Sequence, residues 1–168
     1  MREIKKLDKR HHEAFKTINI ETRKTLVDPS WFMPFSEENI ENLFNEGSTL
    51  IVYGCFIDGT LAGVSLFDFK EEEFAELSKL LGIENKKGAE LGGSMVLPAY
   101  RGQHIMYDVN EALIKVAKEM GIEYLVATAH PDNIASNSSL KKLGMEYKTT
   151  ITRASGYLRN VYLLELKS

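Results

Sequence analysis

Val96-Leu-Pro-Ala-Tyr-Arg-Gly-Gln-His-Ile-Met106 is the stretch on which the fold turns. An apolar run ends, Arg101-Gly102 breaks it, and an amphipathic pattern starts at once. The first amides of a helix have no intrahelical acceptor, and the helix dipole adds positive potential there. Such an end takes up phosphate oxygens. Arg101 adds a full positive charge, and Gly102 lets a ligand approach the backbone with no Cβ in the way. This chemistry suits a pyrophosphate group. The same residues also suit an ordinary strand-to-helix turn, and the segment alone leaves both open.

Outward from that turn the pattern reads strand, helix, strand, helix. Ala89 to Leu97 is expected as the first strand. Gln103 to Met120 is expected as a long helix. Ile105, Val109, Leu113, Val116 and Met120 recur on one face at three- to four-residue steps, and Asp108, Glu111, Lys115 and Lys118 take the other. Gly121 suits the position just past its end. Tyr124 to Ala129 is almost continuously apolar, as in a strand covered on both faces. A strand–helix–strand unit of this length implies parallel pairing through a right-handed crossover. Ile134 to Leu143 reads as a short helix stopped by Gly144. Closing strands of about Glu146–Arg153 and Tyr157–Leu166 meet at Ala154-Ser-Gly156.

Upstream, Leu50–Ile57 and Leu61–Phe67 flank Asp58-Gly59, a strong short-range hairpin signal. An acidic helix follows, with Phe74, Leu77 and Leu81 at helical spacing and Gly82 near its end. Arg2–Lys6 reads as a short strand. A helix from about Lys9 to Leu26, with Phe15, Ile18 and Thr22 on one side, is ended by Asp28-Pro29. Ser36 starts a second helix running to about Phe44 and ending near Gly47. Trp31, Phe32, Met33 and Phe35 form a dense apolar segment between the two. No linker divides residues 1–168, so one α/β domain is expected. It has an N-terminal strand and helical cap (1–47), a central part (48–145) and closing strands (146–168).

Apolar residues make up 43% and charged residues 27%, the balance of a soluble globular protein. A net charge of −3 weighs against a nucleic-acid footprint, which needs a basic face. Cys55 is the one cysteine, so no internal disulfide framework is expected. The N-terminus is charged and lacks the apolar stretch of a signal peptide. No apolar run reaches the roughly eighteen residues of a membrane span. The expectations are a cytoplasmic setting and no membrane partner.

The residues from Val96 onward resemble the acetyl-CoA motif of the GNAT superfamily of N-acetyltransferases, Arg/Gln-x-x-Gly-x-Gly/Ala preceded by Val-x-Pro. Val96 and Arg101 match, while His104 and Met106 stand where the pattern has Gly and Gly/Ala. Downstream, His130-Pro-Asp-Asn-Ile-Ala-Ser136, continuing to Lys142-Leu-Gly-Met145, is similar to the family's Asn-x-x-Ala/Ser segment ending Lys-x-Gly-Phe, with Met145 for Phe. The resemblance is sharpest from Val96 to Gly144 and extends by element order over about Thr49 to Tyr147. It implies a mixed central sheet of about six to seven strands with flanking helices, and residues 48–145 as the coenzyme-binding core. It implies acetyl-CoA as co-substrate, held by Val96, Arg101, Gly102, Gln103, His104, Ile105, Met106, Asn133, Ser136 and Lys142. His104 must then direct its side chain away from the loop. The fold so implied splays the strand ending at Val96 from the strand ending near Ala129, and a backbone amide of the first polarises the thioester carbonyl.

Acyl transfer needs an unprotonated amine, and alkyl amines are mostly protonated at neutral pH. A general base therefore helps. Glu90, on the strand leading to the acyl site, is the candidate, and the alternative is a surface glutamate at a sheet edge. Strand alternation puts Glu90 on one face with Ser94 and Val96 unless Gly92-Gly93 forms a bulge. Many relatives protonate the departing thiolate with a tyrosine seven residues past the motif asparagine. Here that position is Leu140. Tyr147 or Tyr157 could substitute, or simply pack. Trp31, Phe32, Met33 and Phe35 either wall the acceptor pocket or pack on the core. His11 and His12 lie in a charged helix and are expected in solvent, and Cys55 reads as packing. His130 has no Cys or His at ligand spacing, so no metal is expected.

The function implied is acetyl transfer to a primary amine of a small molecule or peptide. Glu71-Glu-Glu73 leans towards a cationic small molecule. Leu140 and His104 keep open a non-catalytic acyl-CoA-binding or sensing domain of the same fold. An unrelated α/β domain with accidental motif matches predicts no coenzyme binding. A homodimer is common in such domains, but no apolar stripe in this sequence assigns one.

Overall fold

The computed structural model describes residues 1–32 and 35–166, so Met33 lies outside the described residues. Seven strands form one sheet: β1 (Arg2–Lys6), β2 (Leu50–Ile57), β3 (Thr60–Asp68), β4 (Gly88–Val96), β5 (Tyr124–Ala129), β6 (Glu146–Thr152) and β7 (Leu158–Glu165), in the order β1-β2-β3-β4-β5-β7-β6. The helices are α1 (His12–Lys24), α2 (Glu37–Asn42), α3 (Glu71–Leu80), α4 (Ile105–Glu119) and α5 (Ile134–Lys142). Among the described residues only β4 and β5 pair in parallel, across α4, and the remaining pairs are antiparallel. Asp58 and Gly59 both take positive φ, 48° and 84°, which is the backbone a two-residue hairpin joint requires.

Alternation along the strands divides the core. Phe67, Ala89, Leu91, Leu125 and Ala127 face α4 and pack on Ile105, Val109, Leu113 and Ala117. Val64, Leu66 and Met95 face the other way, onto Phe15 and Ile18 of α1, Ile40 of α2 and Leu43 just past its end. Tyr124 and Val126 share that side and meet Phe74 and Leu77 of α3. Covering both sides explains why β5 reads as a near-continuous apolar run.

Four expectations shift. The first helix opens with a 3-10 turn, Lys9–His11, under an Asp8 cap. His11 is no solvated histidine: its ring lies 5.5 Å from Phe56 and its Nδ1 accepts from the Asp8 amide at 3.0 Å. α4 starts at Ile105 rather than Gln103, because Gly102 (φ 79°) and His104 (φ 60°) are left-handed and cannot continue a helix backwards. Finally, Glu90 does not share a face with Val96. Leu66 pairs with Gly92 while Val64 pairs with Met95, so β4 carries one extra residue there. That bulge, with Gly93 at φ 62°, resets the parity.

Candidate functional site

The β4–β5 pairing is short. Gly88, Ala89 and Glu90 face Tyr124, Leu125 and Val126, and the register ends there. Beyond it β4 continues to Val96 and β5 to Ala129, leaving the backbone groups that point into the gap without a strand partner. A wedge opens at the bulge. Gly93 allows it: an added Cβ would meet the Phe35 ring at 2.9 Å and Leu66 at 3.1 Å.

At the far end of β4 comes a 3-10 turn, Pro98–Tyr100, and then the loop to α4. Among the described residues, no acceptor takes the amides of Gly102, Gln103, His104, Ile105 or Met106. Arg101, Gly102, Gln103 and His104 are exposed, and Ile105 is buried under β3 and β4. His104 occupies the left-handed position where the motif has glycine, and its outward placement leaves the amides accessible. Arg101 reaches back to the end of α1, where Nη2 donates to Oγ1 of the capping Thr25 at 2.9 Å. The Gln103 carbonyl is held by Arg2 at 2.9 Å. A loop of free amides beside an exposed arginine fits a diphosphate.

Across the wedge, Asn133 caps α5 by accepting from the Ser136 amide at 3.2 Å. Lys142 is exposed at the far end of that helix. Asn133 and Ser136 therefore shape the helix start, while Lys142 stands a helix length away. Beneath them Asn137 donates to the carbonyls of His130 and Asn133 (2.9 and 2.8 Å). It also accepts from Asn160 at 2.9 Å and Tyr162 at 2.5 Å. This buried hub locks α5 to β5 and β7, and sequence reasoning missed it.

On the opposite side of the sheet the wedge opens into a cleft of about 620 Å³. Trp31, Phe32 and Phe35 line it, and Phe32 and Phe35 also pack on the core. Glu90 projects into the cleft. Arg153 Nη1 donates to Glu90 Oε2 at 2.9 Å and its Nε donates to Glu76 Oε1 at 2.9 Å. Burial pushes the Glu90 carboxyl above its ordinary value, and the Arg153 guanidinium pulls part of the way back. Asp68, Glu72 and Glu73 add further negative charge to the same wall. Tyr157 lines the cleft as well. Tyr147 does not: it sits on edge strand β6, half exposed, with its hydroxyl 2.7 Å from Thr150 Oγ1. That placement keeps the Tyr147 hydroxyl out of the cleft lining. Leu140 packs against the α4 core, and Cys55 is fully buried.

Arg153 and Arg159 were not singled out from the sequence. The signal was available: a hairpin antiparallel to β5 must bring its turn back to the open end of the wedge.

Among the described residues no helix is long and apolar enough to cross a membrane, and no cluster of His, Cys, Asp or Glu could hold a metal ion.

A parallel strand pair that opens beside a loop of free amides defines an acetyltransferase-type fold. The sequence profile of the Acetyltransferase (GNAT) family matches residues 13–145, and the chain belongs to that family. Solved structures share the fold at low identity. The ribosomal-protein-S18-alanine N-acetyltransferase from Escherichia coli is 17% identical, with TM-score 0.74 over 100% of this chain and 96% of that one. A probable acetyltransferase from Staphylococcus epidermidis is 16% identical, with TM-score 0.76 over 99% and 100%. An acetyl transferase from Salmonella typhimurium that modifies the N-terminal serine of 50S ribosomal subunit protein L7/L12 is 19% identical, with TM-score 0.73 over 99% and 95%. A search of curated proteins finds no match.

Proposed function

We propose that the protein transfers an acetyl group from acetyl-CoA to a primary amine of a small molecule or peptide, in the cytoplasm. The observation that carries this is the wedge: β4 and β5 part after Glu90 and Val126, between the free amides of 102–106 on one side and the acidic cleft on the other. When bound, acetyl-CoA supplies an acetyl thioester open to attack by an amine.

The chain's own residues divide the work. The amides of Gly102, Gln103, His104, Ile105 and Met106, with Arg101, hold the diphosphate. Val96 and the β4 backbone beyond Glu90 offer unpaired groups to the pantetheine arm and to the carbonyl oxygen, where fixed amides favour developing negative charge. Asn133, Ser136 and Lys142 border the arm on the α5 side. Glu90 accepts the proton that the attacking ammonium must lose. Its raised pKa brings a carboxylate nearer to the range where it is an effective base. Trp31, Phe32 and Phe35 cover the cleft and exclude water. Tyr157 is the hydroxyl available there to return a proton to the leaving thiolate.

An assay of thiol release from acetyl-CoA over a panel of primary amines tests this. Turnover with at least one amine class is expected. Acetyl-CoA binding with no turnover across the panel would favour the non-catalytic binding domain instead.

A further inference from the structure

The two arginines of the cleft differ in their partners. Arg153 is matched by Glu90 and Glu76. Arg159, on β7, is only 6% exposed and has no carboxylate within salt-bridge distance among the described residues. Its Nη1 donates to the Leu158 carbonyl at 2.8 Å and its Nη2 to the Ser30 carbonyl at 2.6 Å. The guanidinium lies over the Tyr157 ring, 5.2 Å from its centre. A buried cation without a counter-ion is costly, and its desolvation is offset when an anion arrives.

A second donor to the cleft comes from the residue next to Ser30. The Trp31 indole Nε1 is buried and donates to no acceptor among the described residues. Trp31 follows Ser30, whose carbonyl Arg159 grips, so this unsatisfied donor is carried by backbone tied directly to the Arg159 guanidinium. Both residues line the cleft. The carboxylates of Asp68, Glu72, Glu73, Glu76 and Glu90 line the same cleft from α3, β3 and β4. Positive and negative groups are thus drawn from different elements of one small space.

We propose that Arg159 and the Trp31 N–H form a carboxylate subsite, and that the acceptor is a small zwitterion carrying its amine and its carboxylate on one molecule, of the free amino acid type. This rests on the acetyltransferase proposal for the same cleft and names the acceptor class. The guanidinium and the indole N–H bind the carboxylate. The acidic wall draws the ammonium towards Glu90. A peptide C-terminus offers the same carboxylate, but its amine lies farther off with each added residue.

Trp31 is the one tryptophan of the chain, so its emission reports this subsite. The full chain is titrated with free amino acids, their C-terminal amides and longer peptides, following Trp31 emission, and thiol release is measured in parallel with acetyl-CoA. Wild type is expected to prefer free amino acids over their amides at least about tenfold, in binding and in KM. Arg159→Gln is expected to erase the preference, Arg159→Lys to retain part of it, and both to leave acetyl-CoA affinity unchanged. Should Arg159→Gln fail to fold, Trp31→Phe, read by calorimetry, is expected to narrow the preference without touching acetyl-CoA binding. Equal binding of acids and amides by wild type, or a preference that survives Arg159→Gln, overturns the subsite. Peptides binding as well as free amino acids overturn its small-molecule assignment. Turnover without a carboxylate preference overturns the subsite and leaves the acetyltransferase proposal standing. A carboxylate preference without acetyl-CoA binding does the reverse.

Discussion

Arg153, in the turn after β6, grips Glu90 of β4 from 63 residues away, with Nη1–Oε2 at 2.9 Å and Nη2–Oε1 at 3.4 Å. Both residues line the cleft, Glu90 at the last position where β4 pairs with β5. Burial acts on Glu90 more strongly than the guanidinium does, so its carboxyl lies above the usual 4.5. Two consequences follow for pH. A base works only when ionised, so kcat should fall as pH drops through that raised value. Glu90→Gln should remove this limb of the pH–rate profile and lower kcat by about 10²–10⁴. A profile unchanged in the variant would dismiss Glu90 as the base.

Stability moves in the opposite sense to activity. With the folded value above the unfolded one, the unfolded chain loses the proton first as pH rises past 4.5. The contribution of Glu90 is therefore fully present below 4.5 and is lost as pH rises through the folded value. Denaturant midpoints across that window should fall with pH for wild type and flatten for Glu90→Gln.

Gly93 is held at φ 62° with no room for a Cβ against Phe35 and Leu66. Gly93→Ala should cost about 1–2 kcal/mol from the left-handed backbone alone, lowering Tm by roughly 2–8 °C. Gly92 has nothing within 4 Å and no positive φ, so Gly92→Ala should leave Tm nearly unchanged. Thermal unfolding followed by circular dichroism compares the two. Equal Tm values would argue against the bulge.

The two tyrosines named from the sequence part company. Tyr157 lines the cleft, and Tyr147 bonds Thr150 at the sheet edge. Tyr157→Phe should lower kcat about tenfold or more if its hydroxyl serves the leaving group. Tyr147→Phe should leave kcat within about twofold, since its hydroxyl touches no part of the cleft. Steady-state rates with one good acceptor separate them.

Much of this was legible because local signals agreed with the tertiary demand. Asp58-Gly59 could hardly be anything but a hairpin joint, and both residues take the positive φ that the joint needs. Gly121 and Gly144 mark the ends of α4 and α5 with φ of 76° and 91°. The amphipathic period of α4 reported its burial, because one face meets β2, β3 and β4. What failed was counting. Gly92-Gly93 advertised a bulge, but whether the parity flips depends on the pairing with β3, which spans about thirty residues of chain. His104 concealed the start of α4, since a histidine at φ 60° writes no glycine into the sequence. Arg153 and Arg159 stayed hidden because their partners are Glu90, Glu76 and Ser30, and no period links those positions.

The most direct test is a calorimetric titration of acetyl-CoA into the wild-type chain and the Arg101→Glu variant. Arg101 is exposed and, among the described residues, its side chain hydrogen-bonds only to Thr25, so the variant should fold. Wild type is expected to bind one acetyl-CoA, and the charge reversal to weaken it at least tenfold, or about 1.4 kcal/mol. Binding indifferent to Arg101 would move the donor site away from the 101–106 loop. Absence of binding by wild type would contradict the acetyl-CoA assignment itself.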